Sequence, residues 1–169
     1  MALTIENGNI VAGANSFATV SECRAFCDER GLSLPSEDAA VEKLLINAAD
    51  FIFSLETEFQ GVRKDSTQVL PFPREQIFLR GADVSGTIPN ILKQAQSRLA
   101  FDAQENDLFS TGSGKEVLEE QVGPLKTKYS PSGSSNPQNN FTAALNYLEP
   151  LFKTGNMVSG WSFNIPVSR

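Results

Sequence analysis

Histidine is missing from all 169 residues of this chain. That absence removes the side chain most used as a general base near neutral pH and as a metal ligand. A Ser-His-Asp site is excluded, a cysteine nucleophile has no histidine to activate it, and no G-x-S-x-G turn occurs. Cysteine is nearly as scarce, with Cys23 and Cys27 alone. They stand four apart on one face of a predicted helix, a geometry that opposes a relaxed disulfide. A zinc site needs two further soft ligands that the chain does not have, so both are read as small core residues. No apolar run approaches the roughly 20 residues needed to span a bilayer. The opening Met1-Ala2-Leu3-Thr4-Ile5-Glu6 has neither a basic region nor a long apolar stretch, which does not fit a signal peptide. The expectation is a soluble protein made in a reducing compartment.

Positive charge is also in short supply. The 14 Lys and Arg are scattered among 20 Asp and Glu, giving a net charge of −6 and a pI near 4.7. Phosphate binding by counterion release needs clustered cations, so tight nucleic-acid binding by a monomer is not expected. At 169 residues, 40% of them hydrophobic, the chain has the length and composition of one ordinary globular domain.

What is present reads mainly as helix. Thr19-Val20-Ser21-Glu22 is a capping box opening a first helix with Val20, Cys23, Phe26 and Cys27 as its stripe and Gly31 as its stop. Ser36 is placed to cap a second helix, with Glu37 and Asp38 at its positive end. Val41, Leu44, Leu45, Ala48, Phe51, Ile52 and Leu55 give that helix the widest stripe in the chain, predicting the central core helix. Residues 56 to 87 read as irregular, with prolines bracketing Phe72 in Leu70-Pro71-Phe72-Pro73-Arg74. A third helix spans about Ile88 to Asn106, with Pro89 in its first turn and Leu92, Ala95 and Leu99 inward. A fourth covers about Phe141 to Lys153, with Phe141, Leu145, Leu148 and Phe152 inward and Pro150 bending or shortening it.

Between the last two helices, residues 116 to 122 and 126 to 129 read as two strands around Gly123-Pro124. A lone two-stranded ribbon is marginal in water, so this arm points to a chain that completes itself against neighbours. After residue 156, Trp161, Phe163, Ile165 and Val167 alternate with Ser162, Asn164, Pro166 and Ser168. That segment reads either as an extended docking peptide or as a last strand folded back on its own domain. The fold class expected is mainly α: a small bundle of about four helices with a β-hairpin arm and an extended C-terminal tail. Residues 1–155 form the domain, with the arm at about 116–129, and residues 156–169 form the tail.

Catalytic motifs fare poorly. Thr111-Gly112-Ser113-Gly114-Lys115-Glu116 has Phe109 and Glu116 where a phosphate-binding loop needs Gly and Ser or Thr. Glu56, Glu58, Asp102 and Glu105 could in principle pair as glycosidase carboxylates, but read better as solvated helix faces. Asn140-Phe141-Thr142 fits a glycosylation sequon, which has no meaning without secretion. Phe72 has two readings: a plug for a core gap, or part of a rigid loop between subunits with Arg74 paired to an acidic neighbour.

Several segments in order carry a resemblance. They are Ala14 to Val20 leading into a helix ending at Gly31, Gln68 to Arg74, Ile88-Pro89 opening a helix through Leu99-Ala100, Val122-Gly123-Pro124-Leu125 ending at Tyr129, and Leu148-Glu149-Pro150-Leu151. Over about residues 1 to 155 the chain resembles the head–tail connector (adaptor, head-completion) proteins of tailed bacteriophages. The subgroup is the one labelled DnaT-like single-stranded-DNA-binding protein. Phe72 departs from the pattern, since related sequences more often carry Trp there.

The resemblance implies a structural virion protein, assembled in the bacterial cytoplasm, that forms a ring typically of twelve copies beneath the portal. The ring extends the DNA channel and joins head to tail. Its partners would be the portal protein, neighbouring copies, and the tail or next connector, with genomic duplex DNA passing without tight binding and no membrane involved. Mapped onto this chain, Trp161, Phe163, Ile165 and Val167 dock on the portal. Phe72, Arg74, Val117, Val122 and Tyr129 lie between subunits, and Glu116, Glu119 and Glu120 face the channel. No catalysis, cofactor or metal is expected. The alternative is a DnaT-like single-stranded-DNA-binding replication protein, for which Phe72, Tyr129 and Trp161 are aromatic candidates without clustered cations. A small phage lysozyme is a distant third.

Overall fold

The structure, a computed structural model, describes residues 2–109, 119–122, 125–128 and 141–153, the two short pieces as backbone only. Among these residues, four helices and three two-stranded antiparallel sheets make a mixed α/β fold. This corrects the expected mainly-α bundle. Helix α1 (Val20–Asp28) begins as its sequence dictates: the Glu22 amide donates to Thr19 Oγ1 at 3.1 Å, and the Thr19 amide donates to Glu22 Oε2 at 2.8 Å. Its end is closed by Gly31 at φ +64°, with Leu32 N–H donating to the Cys27 carbonyl. Helix α2 (Asp38–Ser54) buries Val41, Leu45, Ala48, Ala49 and Ile52. Ser36 does not cap it. Instead Arg24 of α1 donates to the Ser36 carbonyl at 2.9 Å and to Asp38 at 2.8 Å, fixing where α2 starts.

Helix α3 (Asn90–Asp102), rather than α2, is the hub, packing on α1, on α2 and on α4 (Thr142–Leu148). It buries the expected Leu92, Ala95 and Leu99 and, beside them, small and polar residues that hydropathy does not mark: Gln96, Ser97, Ala100 and Asp102. Gln96 makes this possible. Its Oε1 accepts the Phe17 and Ala18 amides, both at 2.9 Å, and its Nε2 donates to Ser16 Oγ at 2.8 Å and to the Leu45 carbonyl at 2.9 Å. One side chain thus ties the N-terminal segment and α2 to α3. Helix α4 passes into a 3-10 turn at Glu149–Leu151, where Pro150 ends the regular α pattern.

The stretch expected to be irregular carries most of the unexpected strand structure. A 3-10 turn (Glu56–Glu58) is followed by β1 (Val62–Arg63) paired with β2 (Arg74–Glu75), and β3 (Phe78–Leu79) paired with β4 (Ala82–Asp83). Each strand has two residues, too few for alternation to be legible in sequence. Close backbone approach holds the lobe together. At Gly61 (φ +70°) a Cβ would lie 2.0 Å from the Glu75 carbonyl oxygen, so only glycine fits. The chain after α4 closes on the same lobe: Gln60 N–H donates to the Leu151 carbonyl at 2.9 Å, and Lys153 N–H to that of Glu58 at 2.8 Å. Strands β5 (Glu119–Val122) and β6 (Leu125–Lys128) form the predicted hairpin.

Candidate functional site

Phe72 and Arg74 lie inside this lobe. Phe72 is fully buried, meeting Phe59 edge-on at 5.0 Å between centroids and Phe17 at 6.4 Å. Arg74, also buried, donates to the carbonyls of Gln60 and Gly61, both at 2.9 Å, and of Pro71 at 3.3 Å. Its Nη1 is 3.5 Å from Glu56 Oε1, and burial lowers its pKa. Both side chains make these contacts within one subunit. Glu56 is the electrostatic centre of the lobe. Arg63 grips it with two hydrogen bonds of 2.5 and 2.6 Å, which hold the Glu56 carboxyl below the usual carboxylate range.

Outside this centre the lobe exposes apolar side chains and carries charge of both signs, with Glu58, Asp65, Glu75 and Asp83 alongside Lys64, Arg80 and Lys153. Phe53, Val62, Val69 and Phe78 are each 44% or more exposed. The Arg63 guanidinium sits 5.8 Å from the Phe53 ring. The Gln60 side chain clamps the Phe78 backbone, accepting from its N–H and donating to its carbonyl, both at 3.2 Å. Lys64, Arg80 and Lys153 are exposed here, Lys153 anchored by donating to the Thr57 carbonyl at 2.7 Å. Elsewhere Arg24 pairs with Asp38, Arg30 with Glu29, Lys93 with Glu22 and Arg98 with Asp102, while Lys43 is exposed on α2. The 53–80 stretch thus carries two exposed rings, Phe53 and Phe78, and the exposed cations Lys64 and Arg80.

The carboxylates weighed for catalysis have other uses. Glu56 serves Arg63. Asp102 is buried beside Arg98, and burial raises its pKa. Glu58 accepts from the Thr57 hydroxyl at 3.2 Å, and Glu105 is exposed on the rim of a shallow polar depression with Gln104 and Asn106. No group of three metal-ligating side chains is gathered among the described residues. Cys23 and Cys27 are both buried and free, their thiols sharing a hydrogen bond that pushes the Cys23 pKa up. No described helix is long and apolar enough to cross a membrane.

Glu119 and Glu120 occupy consecutive positions of β5, and Val122 pairs with Leu125. Glu116, Val117, Tyr129, Trp161, Phe163, Ile165 and Val167 lie outside the described residues. Phe109 and Phe141 both pack on Phe51, at 6.0 and 5.8 Å, so the two ends of the intervening segment are rooted together on α2. Sequence reasoning missed Gln96 and also Glu6, a buried carboxylate accepting the amides of Gly8, Ile10 and Val11. Glu6 had a signal, an acid directly before the turn-forming Asn7-Gly8-Asn9. Gln96 had none.

A family model described as "Putative DnaT-like ssDNA binding protein" matches residues 1–169. No curated protein and no solved structure matches the chain.

Proposed function

The chain belongs to the DnaT-like single-stranded-DNA-binding family, and on that footing we propose that it binds single-stranded DNA. The match over the whole chain is the observation that carries this reading. The lobe supplies a physical route. Bases stack on the exposed rings of Phe53 and Phe78, a contact worth about 1–3 kcal/mol per base, while Lys64, Arg80 and Lys153 meet phosphates. Three such contacts, at about 0.7 per phosphate for a single strand, give a slope of only about −2 in log K against log salt. Fluorescence anisotropy with a labelled oligonucleotide over a salt series tests this. Binding at low salt with that shallow slope, weakened by Phe53→Ala combined with Phe78→Ala, is expected. No affinity at the lowest salt refutes it.

A second reading, the phage head–tail connector, is favoured by the net charge of −6 and by the pairing of Arg24, Arg30, Arg63, Lys93 and Arg98 with carboxylates. An acidic ring around a channel repels phosphates and lets duplex DNA pass without sticking. In this reading the partners are the portal, neighbouring copies and the next tail protein, and the place is the virion neck. Trp161, Phe163, Ile165 and Val167 dock on the portal, Val117, Val122 and Tyr129 touch a neighbour, and Glu116, Glu119 and Glu120 approach the lumen. Neither reading asks the chain for catalysis. Electron microscopy of the chain mixed with portal protein separates them: rings on the portal, with no oligonucleotide affinity, select the connector.

A further inference from the structure

We propose that residues 157–169 fold back on their own chain and cover the apolar face of the 53–80 lobe, with the alternating Trp161, Phe163, Ile165 and Val167 as the covering side chains. The lobe offers the surface: Phe53, Val62, Val69 and Phe78 are all exposed. Apolar side chains left outside on one lobe mark a contact surface. The chain after α4 leaves from this same lobe. Phe152 bridges Phe59 in the antiparallel sense, with the Gln60 amide donating to the Leu151 carbonyl at 2.9 Å and the Lys153 amide to that of Glu58 at 2.8 Å. An antiparallel partner that continues past Lys153 runs alongside Thr57 and Glu56, toward the end of α2 that carries Phe53. The Lys153 side chain already takes that course, its Nζ donating to the Thr57 carbonyl at 2.7 Å. Phe78 lies beside the exit, because the Gln60 Nε2 donates both to the Pro150 carbonyl at 2.8 Å and to that of Phe78 at 3.2 Å.

Residues 154–169 lie outside the described residues, but their sequence suits this face. Residues 154–168 carry no charged side chain, and the four large apolar ones from Trp161 to Val167 alternate, which puts them on one side of an extended chain. The chain's own segment is the favoured occupant. Trp161 is eight residues past Lys153, which is about 26 Å at full extension. A short tether of this kind holds the segment near its own lobe at an effective concentration of about millimolar, above that of a second copy in dilute solution. In the single-strand reading, this cover and the bases take the Phe53 and Phe78 rings in turn. The inference goes beyond the proposed function and is measured without DNA, so its failure leaves that reading untouched.

Trp161 is the only tryptophan, so tryptophan emission reports on this segment alone. The test is the emission spectrum and acrylamide quenching of the full chain over a dilution series. It compares the wild type, Phe53→Ala combined with Phe78→Ala, and Val62→Ser combined with Val69→Ser. All four side chains are exposed, so both variants are expected to keep the fold, which far-UV circular dichroism checks. The wild type is expected to emit to the blue of the urea-unfolded chain, by the same amount at every dilution. Each double variant is expected to shift emission toward the unfolded value and to raise quenching. A wild type whose Trp161 emits like the unfolded chain overturns the proposal, and is the outcome if the segment waits for the portal. A blue shift that neither variant reduces also overturns it, because the segment is then buried elsewhere. So does a blue shift that fades on dilution, because the cover then belongs to another copy.

Discussion

Replacing Gln96 by Leu isolates what one buried amide does for this fold. The side chain is fully buried and makes four hydrogen bonds, two of them from the Phe17 and Ala18 amides. Leu fills nearly the same volume, so little cavity is left and the loss reports on the orphaned polar groups. Ser16 Oγ keeps its own bond to the Ala18 carbonyl at 2.7 Å, which leaves the two stranded amides as the main cost. At about 1–3 kcal/mol for each buried group left unsatisfied, the penalty is about 2–6 kcal/mol. The extra apolar burial offsets about 1–2 kcal/mol of it. A net loss of about 3 kcal/mol is a large share of the roughly 5–15 kcal/mol that holds a domain folded. Urea unfolding measures it, and amide exchange at Phe17 and Ala18 should accelerate more than exchange across α2. A Gln96→Leu protein within about 1 kcal/mol of wild type would refute the reasoning, because the N-terminal segment would then be held by packing alone.

Two glycines with nearly equal φ separate conformational strain from collision: Gly61 at +70° faces the Glu75 carbonyl, whereas Gly13 at +71° has nothing within 4 Å of its built Cβ. Gly13→Ala is expected to lose about 1–2 kcal/mol from strain alone, and Gly61→Ala clearly more, with the β1–β2 pair disturbed; equal losses by urea unfolding would show that the Gly61 backbone yields freely. Two carboxylates should tilt the stability–pH curve in opposite senses. The Glu56 pKa is depressed below 4.5 by Arg63, so its stabilisation is present above the unfolded pKa and is lost as pH falls through the folded one. Glu56→Gln should therefore flatten the acid limb. The Asp102 pKa is raised above 3.8 by burial, so it favours the fold at low pH and that advantage fades as pH rises through its folded pKa. Asp102→Asn should accordingly help more at neutral than at acid pH, and unchanged curves for both variants would remove the two assignments.

The legible parts of this fold were those governed by local rules. Thr19 and Glu22 cap α1 because a hydroxyl and a carboxylate three residues apart reach each other's amides, whatever surrounds them. Gly31, Pro89 and Pro150 mark their boundaries for equally local reasons. The hairpin could be read from its turn residues. The lobe from Glu56 to Gly86 could not, because its order comes from contacts distant in sequence. Gln60 reaches Phe78 and Pro150, Arg74 reaches back to Gly61, and Lys153 caps the Thr57 carbonyl. The same long-range bonding hid the hub. Periodicity ranked α2 first because its face is greasy, but α3 is the helix enclosed on several sides, and enclosure there requires small residues and a satisfied amide.

That distinction bears on function as well. Composition treats every cation alike, and by that measure a chain of net charge −6 should avoid nucleic acid. Among the described residues, Arg24, Arg63, Lys93 and Arg98 are tied to carboxylates, Lys64, Arg80 and Lys153 are exposed on or beside the lobe, and Lys43 is exposed on α2. In the single-strand reading, affinity depends on the exposed cations of the lobe together with Phe53 and Phe78. Net charge and binding are separable in that reading, because a local set of exposed rings and cations can act where the whole-chain charge is negative. The two functional readings consequently differ in which face meets DNA: the Phe53–Phe78 lobe for single-strand binding, the acidic β5 strand for passage through a ring. Substituting Phe53 and Phe78 tests the first without touching the hairpin, and neutralising Glu119 and Glu120 tests the second without touching the lobe.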